Sequence, residues 1–129
     1  FSLDLRATTN DARDALARDV LAELKAICQR RGLQHKVEET MRAAAAPSAP
    51  AWQQRWERAV EALGLPVFRM PSGAGHDAMS MVEMTDIAML FVRCERGISH
   101  NPAEMITAED AGIGARVLLR FMDGFGRGN

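Results

Sequence analysis

Two histidines stand out as residues that could do chemistry. His76 closes the string Pro71-Ser72-Gly73-Ala74-Gly75-His76-Asp77, and His100 sits in Gly97-Ile98-Ser99-His100-Asn101-Pro102. Each lies on a polar, glycine-bearing loop beside a run of apolar residues. Gly73 and Gly75 let the backbone approach another group closely and leave its amides open. Imidazole is a proton carrier and a metal ligand near neutral pH. On spacing alone these remain two loop histidines. No HExxH, no closely spaced histidine pair and no CxxC accompanies them. The glycines lack the GxGxxG pattern of a dinucleotide loop, and Ser72 and Ser99 do not occupy a GxSxG elbow.

The elements that must position these loops follow from periodicity. Asn10 to Arg31 predicts a helix, with Asn10 as N-cap, Gly32 as the stop, and an apolar stripe of Ala12, Leu16, Val20, Leu24 and Ile27. A second helix runs from Ser48 or Ala49 to Leu63, with Pro50 in its first turn and a face of Trp52, Trp56, Ala59, Val60 and Leu63. Thr107-Ala108-Glu109-Asp110 reads as a capping box that opens a last helix. The face of that helix is Gly114, Val117, Leu118, Phe121, Met122 and Phe125, and the tail from Gly126 is expected to fray.

Phe1, Leu3 and Leu5 alternate with Ser2, Asp4 and Arg6 as in a strand. Leu33 to Ala43 reads as a second extended segment, Val67 to Met70 as a short strand, and Ile87 to Val92 as a strand buried on both faces. A short helical stretch follows His76 through Met81 or Glu83. His76 and His100 therefore follow neighbouring predicted strands, and a parallel pairing would bring them to one edge. The fold class expected is α/β, an α+β fragment, with a break near Pro47 in the alanine- and proline-rich segment Ala43 to Pro50.

Composition excludes several classes. The 129 residues carry a net charge of −1, which disfavours a nucleic-acid partner. No apolar run is long enough to cross a membrane. The start is not a signal peptide, and Cys28 and Cys94 form no disulfide framework, so a cytoplasmic setting is expected. A chain opening in mid-strand also suggests a piece of a longer protein.

Two whole strings, Pro71 to Met79 and Gly97 to Glu104, together resemble the amidohydrolases that cleave N-carbamoyl-L-amino acids, allantoate and β-ureidopropionate. These belong to the clan of dimetal aminoacylases and carboxypeptidases. Leu3-Asp4-Leu5-Arg6, the helix after it and Thr107 to Gly112 are similar to that family in the same order, so the likeness covers essentially the whole chain.

The resemblance implies a catalytic metal-binding domain interrupted by a lid that also makes a homodimer. Residues 1–46 would be the second half of the βαβ lid and dimerisation domain. Residues 47–129 would be the returning half of the α/β metallohydrolase domain. By position, His100 would be a ligand to one of two divalent ions, zinc or manganese. Arg6 would bind the carboxylate of the carbamoyl or ureido acid. Ser72, Gly73, Ala74 and Gly75 would shape the substrate-binding wall, and His76 would be catalytic, touching the substrate's carbamoyl or ureido group. One ligand cannot hold two ions, so the chain alone is expected to be inactive without an N-terminal catalytic segment. The competing expectation is a stand-alone, non-catalytic α/β module that binds a small acid or dimerises through its first strand and helix.

Overall fold

The computed structural model describes residues 1–125. The predicted tail from Gly126 lies outside them. The chain forms two compact units. One joins Phe1–Pro47 to Pro71–Glu83, and the other joins Ser48–Met70 to the chain from Met84 onward.

The first unit is built on helix α1, Asn10–Arg30. The cap is Thr9 rather than Asn10: its extended backbone lets Oγ1 accept from the Ala12 amide at 3.2 Å. Asn10 serves elsewhere. Its Oδ1 accepts from the Ala45 amide at 2.8 Å and from Arg13 Nη1 at 3.2 Å, tying the later extended segment to the helix start. The helix ends where expected, at Gly32 in the left-handed region (φ 63°), after which the Leu33 amide reaches back to the Cys28 carbonyl at 2.9 Å. The predicted apolar stripe is only partly covered. Val20, Leu24 and Ile27 are half-buried, Ala12 and Leu16 are exposed, and the one buried residue of α1 is Cys28. The polar edge holds the returning chain, with Arg42 bridging Asp14 and Glu39 at 2.8 Å each.

The second unit is organised by α2, Pro50–Glu61, packed on a later helix, Ala108–Asp123, here called α4 because the short α3, Ala78–Met81, of the first unit precedes it in the chain. Pro50 sits at the start of α2, where its missing N–H costs no helical bond. The predicted α2 face is the one that packs: Ala59 is buried, and Trp52, Trp56, Val60 and Leu63 are half-buried. α4 answers with Val117, 3% exposed, and with Phe121, whose ring stacks on Trp56 at 3.8 Å between centroids. Leu118, Met122 and Phe125 of the expected α4 face remain substantially exposed. Gly114 is required by close approach, since a Cβ there would meet Val92 Cγ2 at 3.0 Å. Thr107 caps α4 as expected: Oγ1 accepts from the Asp110 amide at 3.0 Å and donates to Asp110 Oδ2 at 2.8 Å.

Among the described residues the expected α/β sheet is not formed: no segment is in a β-ladder, and the regular structure is helical. Residues 1–6, 33–43, 67–70 and 87–92 lie outside helices but do not pair with one another. Alternation sets the conformation and the faces of a segment; a strand also needs a neighbour's amides and carbonyls. The bond from the Ala49 amide to the Ile87 carbonyl, 2.8 Å, is isolated and starts no ladder. Ile87 is buried as predicted, but Phe91 and Val92 are exposed, as are Phe68 and Met70.

Candidate functional site

Arg6 and the glycine-rich loop come together in the first unit. They are 67 positions apart in sequence, yet Arg6 Nη1 donates to the Gly73 carbonyl at 2.5 Å. The guanidinium is oriented by a near neighbour as well. Arg6 Nε donates to both oxygens of Asp4, at 3.1 and 3.0 Å, and Nη2 donates to Asp4 Oδ2 at 2.6 Å. Asp4 and Arg6 share a face because side chains two apart on an extended chain point the same way. The hydrogen bonds from Arg6 hold the Asp4 carboxyl below its ordinary value.

The loop itself is shaped locally. Ser72 Oγ donates to the Ala74 carbonyl at 3.1 Å, which tightens the turn around Gly73. A Cβ at Gly73 would meet nothing within 4 Å, so its side faces open space while its carbonyl takes the arginine. Gly75 faces Met79, whose Sδ would stand 3.6 Å from an added Cβ. His76 is half-buried. Its carbonyl accepts from the Met79 amide at 2.9 Å and so begins the turn into α3. Arg6, Ser72, Gly73, Ala74, Gly75 and His76 thus belong to one compact unit, with a fixed cation beside a loop that ends in an imidazole.

His100 belongs to the second unit. It is exposed, and its backbone is left-handed, φ 55°, a region that L residues enter at a cost. The cost is met by a hydrogen-bonded turn. The His100 amide donates to Glu104 Oε2 at 3.0 Å, the Ala103 amide to Asn101 Oδ1 at 2.9 Å, and the Glu104 amide to the Asn101 carbonyl at 2.9 Å. The turn fixes where His100 leaves the backbone and leaves its imidazole solvent-exposed.

No group of three or more histidine, cysteine, aspartate or glutamate side chains among the described residues could hold a metal ion. The donor set supplied here therefore does not fit a complete metal centre. His100 can contribute one ligand at most. Cys28 and Cys94 are free thiols.

Periodicity and motif spacing did not single out Asp4 or Glu104. Asp4 could have been found from the alternation, which already put it on the face of Arg6. Glu104 had a weaker signal, as the fourth residue after a histidine in a turn-forming Asn-Pro stretch.

Comparison with known proteins places the chain in a family. Residues 8–124 match the model of peptidase family M20/M25/M40, and the chain belongs to that family. It is 36% identical over 92% of its length to an N-carbamoyl-L-amino acid amidohydrolase of Geobacillus stearothermophilus, covering 29% of that protein. It is 35% identical over 95% of its length to an allantoate deiminase of Arabidopsis thaliana, covering 25% of that protein. A crystal structure of a Burkholderia cenocepacia protein assigned as an amidohydrolase/peptidase superposes with a TM-score of 0.75 at 40% identity, over 87% of this chain and 28% of that one. The chain thus spans under a third of the length of each of these relatives. The family is generally metal-dependent. No helix among the described residues is long and apolar enough to cross a membrane.

Proposed function

We propose that this chain is the C-terminal part of a metal-dependent amidohydrolase that cleaves a linear C–N bond in an N-carbamoyl amino acid or a ureido acid such as allantoate. The observation that carries the reading is the contact of Arg6 with Gly73, which sets a cation against the loop that bears His76. Both proposed substrate types combine a carboxylate with a planar carbamoyl or ureido group. Arg6 takes the carboxylate, for which its planar fork is suited. Ser72, Gly73, Ala74 and Gly75 form the wall, and His76 donates a hydrogen bond to the group being hydrolysed, where charge builds as water adds to its carbon.

His100 supplies one ligand to a centre of two divalent ions, zinc or manganese, whose other ligands come from an N-terminal catalytic segment. The hydrogen-bonded left-handed turn under His100 supports that role, because a ligand on a backbone held by such bonds loses less freedom on binding. Residues 1–46 are the closing half of a lid and homodimerisation domain, and residues 47–129 the closing half of the catalytic domain. The enzyme works in the cytoplasm, and this chain alone does not turn over substrate. Names of the relatives support the substrate class: carbamoyl-amino-acid and allantoate enzymes recur among them.

The test is His100→Ala and Arg6→Lys in the full-length enzyme. His100→Ala is expected to remove turnover and lower the bound metal per protomer. Arg6→Lys keeps the charge but loses the fork, so it is expected to raise KM for the acid substrate and cost about ten- to a hundredfold in kcat/KM, the usual size of a lost charged hydrogen bond. Normal turnover and metal content in His100→Ala would refute the ligand assignment. An unchanged KM in Arg6→Lys would refute the carboxylate anchor.

A further inference from the structure

The polar face of the opening segment is Ser2, Asp4 and Arg6. The Asp4–Arg6 pair on it is more elaborate than a chance surface contact: three donor–acceptor contacts join the carboxylate to the side edge of the guanidinium. Yet both side chains are more than half exposed, 65% and 59%. Exposed ion pairs add little to folding stability, because water already solvates both charges and the pair must be held still. The pair's consequence lies instead in the orientation of Arg6.

A guanidinium carries five N–H groups in one plane. Asp4 engages Nε and Nη2, and the Gly73 carbonyl engages Nη1. One N–H remains on each of Nη1 and Nη2, the two nitrogens that a carboxylate grips end-on. A flexible arginine would have to give up rotamer freedom on meeting its ligand. An arginine clamped on two sides has already done so.

We propose that Asp4 is a positioning residue: with the Gly73 carbonyl it locks the Arg6 guanidinium so that the N–H groups left on Nη1 and Nη2 meet the substrate carboxylate. The inference rests on the reading of Arg6 as the carboxylate anchor and names the residue that makes the anchor selective. Asp4 touches no substrate. Its negative charge lowers the raw pull of Arg6 on any anion, so what it contributes is orientation rather than attraction. A substrate whose carboxylate can reach the remaining Nη1 and Nη2 N–H groups together is favoured over an anion of other geometry.

The experiment uses the full-length enzyme and two probes, an acid substrate that it hydrolyses (an N-carbamoyl-L-amino acid or allantoate) and the matching carboxamide. KM and kcat are measured for the native enzyme, Asp4→Asn, Asp4→Glu, Arg6→Lys, and the Asp4→Asn/Arg6→Lys double variant. Asp4→Asn is expected to raise KM for the acid roughly tenfold, the size of one misaligned charged hydrogen bond, with a smaller change in kcat and no change for the carboxamide. Asp4→Glu keeps a carboxylate and is expected to recover part of the loss. In the Arg6→Lys background, Asp4→Asn is expected to do nothing further. Asp4→Ser gives the same reading should Asp4→Asn not fold. If Arg6→Lys abolishes the acid preference while Asp4→Asn leaves it intact, or if Asp4→Asn weakens acid and carboxamide alike, the positioning role is overturned and the anchor stands. If Arg6→Lys leaves the acid preference intact, the anchor itself is wrong and the positioning role falls with it.

Discussion

Gly124→Ala is expected to destabilise the second unit, although backbone arguments point the other way. Gly124 has φ −70° and ψ −16°, which alanine adopts without strain. At such a site alanine normally stabilises by about 0.4–1 kcal/mol, by restricting the unfolded chain. Here an added Cβ would lie 2.8 Å from Arg55 Nη2 and 3.3 Å from both Cζ and Nε, inside ordinary contact distance. The guanidinium has little room to retreat. It lies 3.7 Å from the Phe125 ring centroid and 5.4 Å from that of Phe121, and its Nε donates to the Phe121 carbonyl at 3.2 Å. Among the described residues its Nη2 has no hydrogen-bond partner that would draw it elsewhere. Displacing it forfeits a half-buried cation–π contact, about 1 kcal/mol, and a charged hydrogen bond, about 1.5 kcal/mol. Set against the backbone gain, the net expectation is a loss of about 1.5 kcal/mol. Urea unfolding followed by tryptophan fluorescence reads this directly. The chain has 2 tryptophans, and both Trp52 and Trp56 lie against Phe121. In an Arg55→Met background the clash is relieved by a flexible side chain, and Gly124→Ala should become neutral or stabilising. Stabilisation by Gly124→Ala in the native background, or an equal loss in both backgrounds, would refute the reasoning.

Two further outcomes follow from local geometry. Arg42 pairs with both Glu39 and Asp14, and its hydrogen bond is the main reason that the Glu39 carboxyl sits below its ordinary value, whereas Asp14 is lowered first by Arg13. Arg42→Gln should therefore return Glu39 toward an ordinary carboxyl and leave Asp14 still low, as read by NMR titration of the side-chain carboxyls. Both folded values are depressed, so whatever these pairs contribute is complete above the ordinary carboxylate range and is lost as pH falls through the lowered values. At His100, with φ 55°, glycine is free of the left-handed penalty and alanine is not. His100→Gly should therefore be more stable than His100→Ala by about 1 kcal/mol in thermal or urea unfolding, while both lose turnover.

The helices were largely legible because each carries its own signals. Gly32, Pro50 and Thr107 stop or start a helix by local chemistry, and the α2 face follows from spacing alone. Thr9 displaced Asn10 as the cap of α1 by one position, because either side chain can cap and Asn10 is engaged by Ala45, far along the chain. The expected sheet, which the described residues do not form, was over-read from weaker signals. Alternation in Phe1 to Arg6 and the apolar run Ile87 to Val92 describe faces, but they do not say whose amides complete a ladder. The Arg6–Gly73 contact joins distant positions and has no periodic signature. By contrast, the Asp4–Arg6 pair was latent in the two-residue repeat. Motif likeness marked His76 and His100, but only the structure shows that the His100 backbone is left-handed and tied to Glu104.

The most direct test of the proposed function is hydrolysis by the purified full-length enzyme, supplied with zinc or manganese, of N-carbamoyl-L-amino acids and allantoate beside their carboxamides and ordinary dipeptides. The account predicts cleavage of a carbamoyl or ureido acid, strongly preferred over its carboxamide. Cleavage of dipeptides with none of either acid class, or equal rates on acid and carboxamide, would contradict it.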